Sequence, residues 1–129
     1  MDRVLIDSSA WIAAFRGNDP AVQQTVDRLL ETDRAVLCGV VEMELLHGMR
    51  ARESDRLLPL FGALPFLEID RADWQRAGRL LSDLRIRGKT VPATDALIAA
   101  LCLRHEVGLL TLDKHFDEIP SVRRYPTSD

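Results

Sequence analysis

Short runs of aliphatic residues alternate with longer segments of helical periodicity along this chain of 129 residues. Aliphatic runs of this length are typical of buried strands, and apolar side chains spaced three and four apart are typical of helices packed on one side. The predicted strands are Val4–Ile6, Ala35–Cys38, Phe66–Ile69 and Leu109–Leu112, with a further strand near Val122–Tyr125. Strands separated by helices favour parallel βαβ crossovers, and therefore an α/β fold: a three-layer α/β/α sandwich around a mostly parallel sheet.

Helices are predicted between these strands. Gly17 is expected to end the first helix, and Pro59 to kink the fourth. The segment Arg71–Arg87 is amphipathic, with an apolar face made by Trp74, Ala77, Leu81 and Leu84. The predicted helices are 8–16, one beginning at Asp19 and Pro20, Val41–Met49, Ser54–Phe61, Arg71–Arg87, Asp95–His105 and a short one after Asp113. The helix Asp95–His105 is apolar nearly all round, which predicts that it is buried.

Composition favours one globular domain, residues 1–129, with 47% hydrophobic and 29% charged residues. The longest apolar run, Ala96–Leu103, is far shorter than the roughly 20 residues of a membrane-spanning helix. The opening MDRVLID has an acid where a secretory signal has basic residues, so a cytoplasmic location is expected. Cys38 and Cys102 form no CxxC pair and are predicted to be buried thiols. The histidines are too far apart for a local zinc pair: His47, His105 and His115.

The net charge of −3 argues against a protein built mainly to coat nucleic acid. Of the 17 basic residues, however, 15 are arginines, and many lie in two stretches, 50–56 and 76–89. Arginine suits bidentate contacts with phosphate. Ordinary solvated helix faces in an arginine-rich sequence are the other explanation for these stretches.

Four acids occupy junctions or apolar segments of the predicted fold. Asp7 and Asp113 each follow a strand, Asp95 lies in the first turn of the buried helix, and Glu44 lies inside an apolar helical segment. Taken singly, the three aspartates are explained as helix caps, and Glu44 as an acid on the wet face of its helix. Taken together they are expected to converge, because strand-end acids of a parallel sheet meet at one edge.

Carboxylates in such a cluster repel one another, so they either take up protons or hold cations. Ligation by oxygen alone selects Mg²⁺ or Mn²⁺. Two such ions about 3.5 to 4 Å apart can activate a water and stabilise the leaving oxygen in an in-line attack on phosphorus. The residues therefore predict phosphodiester chemistry.

Four segments, VLIDSSAWI, VEMELLHG, VPATDALIAA and LLTLDKHF, resemble in order and spacing the PIN-domain nucleases, and more narrowly the VapC-type toxins of type II toxin-antitoxin pairs. The resemblance runs from Val4 to about Pro120. It implies a Mg²⁺-dependent endoribonuclease, with Mn²⁺ as a substitute and two ions bound. Its catalytic and metal-binding quartet falls on Asp7, Glu44, Asp95 and Asp113.

The resemblance also suggests supporting residues. Thr111 matches a family hydroxyl that hydrogen-bonds an acid or a metal-bound water, although a β-branched strand residue is an equal explanation. Asp117 is a second candidate near the pocket, or else a solvated surface acid. Ser8 and Ser9 are predicted to be helix caps and not nucleophiles, because no histidine lies nearby in sequence to activate them.

Partners follow from the same resemblance: an RNA substrate such as tRNA, a cognate antitoxin, a second copy of the chain and no membrane. Trp11, Phe15 and the segment Leu57–Phe61 offer apolar side chains for a dimer surface or an antitoxin helix, with plain core packing as the alternative. The basic residues hypothesised to rim the site and hold the RNA backbone are Arg50, Arg52, Arg85, Arg87 and Lys89.

Two other functions stay open at this level. A receiver-like regulatory domain also has an acid-lined Mg²⁺ pocket, but Asp7 is followed by two serines where a receiver has paired acids, and Lys114 follows an acid. A non-catalytic PIN-fold module would bind RNA or protein without cutting. The four intact acids weigh against that second alternative.

Overall fold

The central sheet is parallel and has the strand order β3-β2-β1-β4 in the computed structural model, which describes residues 2–127. The strands are β1 Val4–Ile6, β2 Ala35–Cys38, β3 Phe66–Leu67 and β4 Gly108–Leu110. In the centre of the sheet, Val4 lies opposite Ala35 on one side and Gly108 on the other. β1, β2 and β4 are buried along their whole length, as their uninterrupted aliphatic sequences predict.

Six α-helices and one 3₁₀ helix connect the strands within residues 2–127. Their bounds are α1 Ser8–Arg16, α2 Pro20–Glu31, α3 Gly39–Gly48, α4 Ala51–Ala63, α5 Arg71–Ile86, α6 Ala93–His105 and the 3₁₀ helix Lys114–Glu118. The chain passes from β1 to β2 to β3 in one direction and then returns past β1 to β4. Right-handed crossovers therefore place α1 to α4 on one face of the sheet and α5 and α6 on the other. The predicted α/β sandwich is confirmed.

Local capping explains most of the helix ends. Gly17 adopts a left-handed conformation with φ of 69° and ends α1, as predicted. The side chain of Asp19 accepts a hydrogen bond from the backbone of Val22 and caps α2. At α5, Asp70 and Asp73 form a reciprocal capping box.

Helix α4 is longer than predicted. It begins at Ala51 and not at Ser54, because Glu53 accepts a hydrogen bond from the backbone N–H of Arg50 and stabilises the first turn. The helix also continues through Pro59 to Ala63. Pro59 lies on the exposed face, where water can solvate the carbonyl group that the missing N–H leaves free.

Several strand boundaries also differ from the prediction. β3 ends at Leu67 and β4 ends at Leu110, two residues earlier than expected in each case. The predicted strand at Val122–Tyr125 is only a bridge, in which Leu109 donates to the carbonyl of Arg123 and accepts from Tyr125. Helix α3 begins at Gly39, two residues before the predicted start at Val41.

The core packs against the sheet and includes side chains of α1, α2, α3 and α6. The segment of α6 from Asp95 to Cys102 is buried without a break. Cys38 and Cys102 are both buried free thiols, as predicted. Burial raises the pKa of Cys38 to about 11, so its thiol stays protonated and unreactive at neutral pH. Across residues 2–127, every helix is too short or too polar to span a membrane.

The prediction for the buried face of α5 was wrong at one position. Trp74 is 59% exposed, whereas the neighbouring Asp73 is fully buried. The carboxylate of Asp73 accepts two hydrogen bonds of 2.8 Å from the guanidinium of Arg104 on α6. This ion pair joins the two helices and gives an acid the inward position that hydrophobic periodicity assigned to tryptophan.

Candidate active site

Four acidic side chains lie close together at the carboxyl ends of β1 and β4. Between these two strands the order in which the chain adds strands to the sheet reverses. Asp7 follows β1 directly, and Asp113 lies three residues after β4. Asp95 is in the first turn of α6, and Glu44 is in α3. Neighbouring strands whose connections leave on opposite faces form a crevice at this point, the usual ligand position in an open α/β sheet.

Asp7 is the most enclosed of the four, at 3% exposure. One carboxylate oxygen caps α1 by accepting the backbone N–H of Ser8 at 2.8 Å. The other accepts the hydroxyl of Thr111 at 2.7 Å and that of Ser9 at 3.1 Å. The capping and functional interpretations of Asp7 are therefore compatible, because the contacts that cap the helix also fix the carboxylate at the sheet edge.

Ser8 and Ser9 do not cap α1, contrary to the prediction, since Asp7 takes that position. Their hydroxyls instead orient the acids. Ser8 Oγ donates to Glu44 Oε1 at 3.3 Å, and Ser9 Oγ also accepts the backbone N–H of Leu112 at 3.0 Å. Two hydroxyls directly after a strand-end acid are the sequence signal for this arrangement.

Glu44 is half-buried, and its pKa is raised. Burial is the main cause, followed by the negative charges of Asp7 and Asp113, while hydrogen bonds from Ser8 and Thr94 oppose the shift. The mutual repulsion shows that the α3 acid belongs to the same cluster as the strand-end acids. Thr94, one residue before Asp95, was not singled out from the sequence.

Asp95 and Asp113 share a histidine. His115 Nδ1 lies 3.1 Å from Asp95 Oδ2 and 2.9 Å from Asp113 Oδ1. Asp113 also caps the 3₁₀ helix by accepting the backbone N–H of His115 at 2.9 Å. From the sequence, His115 was weighed only as a member of a local zinc pair. The sequence signal that was missed is its position two residues after the strand-end acid Asp113. When that acid caps the first turn of the following helix, the side chain two residues later lies close to it.

Asp117, the second candidate near the pocket, lies apart from the cluster. Its side chain is 65% exposed and pairs with Arg124 at 3.0 Å. Arg124 in turn donates to the backbone carbonyl of Thr111 at 3.2 Å. Asp117 thus reaches the site residues only through an arginine and the backbone.

The five basic residues predicted for RNA are all exposed, but they form two groups. Arg50 and Arg52 lie at the start of α4, on one face of the sheet. The other three lie in the last turn of α5 or just after it, on the opposite face: Arg85, Arg87 and Lys89. Lys89 forms an ion pair of 2.6 Å with Glu118 in the 3₁₀ helix that begins beside Asp113. The second group therefore contacts, through Lys89, the 3₁₀ helix that Asp113 caps.

The donor atoms suit a divalent cation. Ligand atoms of Asp95, Asp113 and His115 all lie within 4.8 Å of one another. Burial, followed by the charges of Asp113 and Asp7, raises the pKa of Asp95 to about 6. Clustered carboxylates that destabilise one another's charged forms are stabilised by a cation, and oxygen-rich donors match Mg²⁺ or Mn²⁺.

We expect the metal-free protein to lose stability as pH rises from about 4 to about 6. A carboxyl group whose pKa is higher in the folded state holds its proton there longer than in the unfolded chain, so deprotonation opposes folding. For Asp95 the effect is on the order of 1–3 kcal/mol. Thermal unfolding in EDTA at pH 4.5 and 7.5 would show the loss, and Asp95→Asn should reduce it. An equal loss of stability in Asp95→Asn would show that the raised pKa of Asp95 is not its cause.

Known proteins are similar to this chain in sequence and in fold. The PIN domain family matches residues 4–122. The chain is 36% identical over 124 residues to "VapC ribonuclease Mb1587" of Mycobacterium bovis, with 92% of each chain covered. Its fold is similar to that in the crystal structure of VapBC2 from Rickettsia felis bound to a promoter DNA fragment, with a TM-score of 0.80, 16% identity and coverage of 97% and 98%. It is also similar to a toxin-antitoxin complex from Klebsiella pneumoniae, with a TM-score of 0.73, 21% identity and coverage of 92% and 94%. The chain belongs to the PIN-domain family, among the VapC ribonucleases.

Proposed function

We propose that this protein is the toxin of a toxin-antitoxin pair and acts as a Mg²⁺- or Mn²⁺-dependent endoribonuclease that hydrolyses phosphodiester bonds. The observation that carries the proposal is the convergence of Asp7, Glu44, Asp95 and Asp113 on one sheet edge, where burial and then the neighbouring negative charges raise the pKa values of Glu44 and Asp95. The ribonuclease names of the relatives support it. A cytoplasmic location stays a prediction.

Each acid has a separate task in this proposal. Asp7 and Asp95 would hold the first ion, and Asp113 and Glu44 would complete a site for two. When bound, such ions lower the pKa of coordinated water and stabilise charge on phosphate oxygens. Thr111 and Ser9 keep the Asp7 carboxylate in one orientation, while Ser8 and Thr94 do the same for Glu44. This preorganisation limits the rearrangement that RNA binding requires.

The RNA path is proposed to run along the end of α5. A groove of about 310 Å³ lies there, lined by Ser82, Arg85, Lys89 and Thr90 above the apolar side chains of Leu81 and Val91. The ion pair between Lys89 and Glu118 places it beside the 3₁₀ helix that follows the acidic cluster. Two divalent ions would change the formal net charge from −3 to +1, which favours a polyanion. A single-stranded or looped RNA such as tRNA is the proposed substrate.

Replacing both Arg85 and Lys89 by alanine is expected to weaken RNA binding at low salt. Each phosphate contact contributes about 0.7 to the slope of log affinity against log salt for single strands, so the slope should fall by about 1.4. Fluorescence anisotropy of a labelled RNA across a salt series measures this. The matched control is Arg71→Ala with Arg76→Ala at the other end of α5. Equal slopes for the two double variants would contradict the path.

The direct test of the proposed activity is RNA cleavage by the purified protein with Mg²⁺, with Mn²⁺ and with excess EDTA. Cleavage is expected with either ion and is expected to stop in EDTA, because the acids alone provide no activated water. Undiminished cleavage in EDTA would overturn the metal dependence. RNA binding without any cleavage would favour the alternative of a non-catalytic PIN-fold module. The other alternative, a receiver-like domain, has no support because the chain matches the PIN domain family.

An antitoxin is proposed to bind the groove between α1, α2 and α4, which has a volume of about 170 Å³. Trp11 and Leu57 form the floor of this groove and Phe15 forms its rim. Trp11 also packs edge-on against Phe61, so much of the surface that the sequence suggested for a partner is core. Trp11 Nε1 is buried and lacks a hydrogen-bond partner among residues 2–127. Leu60 also lines this groove, so Leu60→Glu is expected to abolish inhibition by a co-expressed antitoxin. Unchanged inhibition would contradict the proposed surface.

A homodimer is also proposed. Met43 and Leu46 lie on α3, the helix of Glu44, and are 57% and 45% exposed. Leu112, next to Asp113, is 42% exposed. Exposed apolar side chains near a functional site favour a protein partner over solvent. Light scattering after size exclusion would distinguish a dimer from a monomer.

A further inference from the structure

A histidine lies among the acids at the sheet edge. The Nδ1 atom of His115 contacts the carboxylates of both Asp95 and Asp113, and its side chain is 50% exposed. The quartet that the resemblance implies consists of carboxylates alone, and the imidazole places a nitrogen atom beside two of them. The question is whether the imidazole only hydrogen-bonds the acids or also binds the cation that they hold.

The distances fit a shared ion. Adjacent ligands of an octahedral cation, each about 2.1 Å from the metal, are about 3.0 Å apart. His115 Nδ1 lies 3.1 Å from Asp95 Oδ2 and 2.9 Å from Asp113 Oδ1. The nitrogen is therefore spaced from each carboxylate oxygen like a ligand on a neighbouring corner of one coordination sphere, and the ligand atoms of the three residues all lie within 4.8 Å of one another.

The backbone holds the imidazole in this position. Asp113 Oδ1 accepts the backbone N–H of His115 at 2.9 Å, which fixes the first turn of the 3₁₀ helix. The following residue, Phe116, is buried at 1% exposure and anchors the same turn in the core. His115 consequently reaches the acids from a restrained segment and not from a free loop.

Building on the proposed metal-dependent function, we propose that His115 Nδ1 is a direct ligand of the divalent ion held by Asp95 and Asp113, and that it makes the site prefer Mn²⁺ to Mg²⁺. Mg²⁺ accepts oxygen ligands almost exclusively, whereas imidazole binds first-row transition ions well. The half-exposed ring can direct its Nε2–H to solvent while Nδ1 offers its lone pair to the ion.

The test is pulsed electron paramagnetic resonance of the full chain loaded with Mn²⁺, which detects a directly bound imidazole nitrogen through its ¹⁴N modulation. The modulation is expected in the wild type and in His47→Gln, a matched change of an exposed histidine on α3. It is expected to disappear in His115→Gln. Calorimetry should show Mn²⁺ binding weakened about tenfold or more by His115→Gln, with Mg²⁺ binding changed by less than about threefold.

The outcomes separate this inference from the function on which it rests. Mn²⁺ binding without ¹⁴N modulation, or modulation that survives in His115→Gln, would overturn the nitrogen ligand while leaving a carboxylate metal site intact. Absence of Mn²⁺ binding in the wild type would overturn both. Circular dichroism confirms that each variant is folded, and His115→Asn replaces the glutamine variant if that one unfolds.

Discussion

Asp7→Asn is expected to lower the rate of RNA cleavage by about a hundredfold or more while the protein stays folded. Loss of a partner that merely orients a metal ligand typically costs 10–100-fold, and a carboxylate placed to bind the ion directly should cost at least as much. A hundredfold loss corresponds to about 2.7 kcal/mol of activation free energy. Steady-state cleavage of a labelled RNA at saturating Mn²⁺ gives the rate.

The fold should tolerate this change. Asparagine caps helices as well as aspartate does. The hydroxyls of Thr111 and Ser9, which now donate to the carboxylate, can rotate to accept from the new amide. Removing one charge also relieves the repulsion of Glu44 and Asp95, so the unfolding temperature of the metal-free variant should not fall.

Asp55→Asn, an exposed change on α4, is the matched control and should cleave like the wild type. Full activity of Asp7→Asn, in a preparation free of contaminating nuclease, would show that the cluster is not the catalytic centre.

Asp73→Ala is expected to destabilise the fold by about 3 kcal/mol, or roughly 10 °C in unfolding temperature, with little effect on cleavage by the folded protein. The change removes two charged hydrogen bonds to Arg104 and the capping contact with Asp70 from a fully buried position. It also leaves the guanidinium of Arg104, which is 28% exposed, without its main partner. Denaturant unfolding at pH 7 measures the loss.

The Arg104 contact also sets a pH dependence. Its hydrogen bonds lower the pKa of Asp73 below the usual value near 4. The stabilisation is therefore complete above about pH 4 and is lost as pH falls through the lower pKa of the folded state. The difference in free energy of unfolding between wild type and Asp73→Ala should therefore become smaller in that acidic range.

Asp117→Ala serves as the control, because it breaks the exposed pair with Arg124, and exposed pairs contribute about 1 kcal/mol or less. Similar losses in free energy of unfolding for the Asp73 and Asp117 variants would show that burial does not strengthen the ion pair between α5 and α6.

Hydrophobic pattern was sufficient to locate β1, β2 and the buried helix α6, because a strand or helix enclosed on all sides needs an unbroken apolar sequence. The same pattern failed at Trp74, where a polar contact decided which side of α5 faces inward. It also failed at the ends of β3 and β4, since a strand stops where its pairing stops, and pairing depends on a distant segment.

The acids Asp7, Asp95 and Asp113 could be placed at one edge from sequence alone, because parallel strands and a helix start lead to the same side of the sheet. The hydroxyls of Ser8, Ser9 and Thr94 and the imidazole of His115 could not be assigned to the acids they contact. Those contacts join side chains from different elements, such as Ser8 with Glu44 across 36 residues.

By itself the amino-acid order determined the fold class, the positions of the main elements and the acids that are available for a metal, since these follow from local periodicity and strand topology. Only the tertiary structure decided which donors surround those acids and how far apart they lie. Hydrogen bonding and metal coordination depend on distances to within tenths of an ångström, and the packing of distant segments sets those distances.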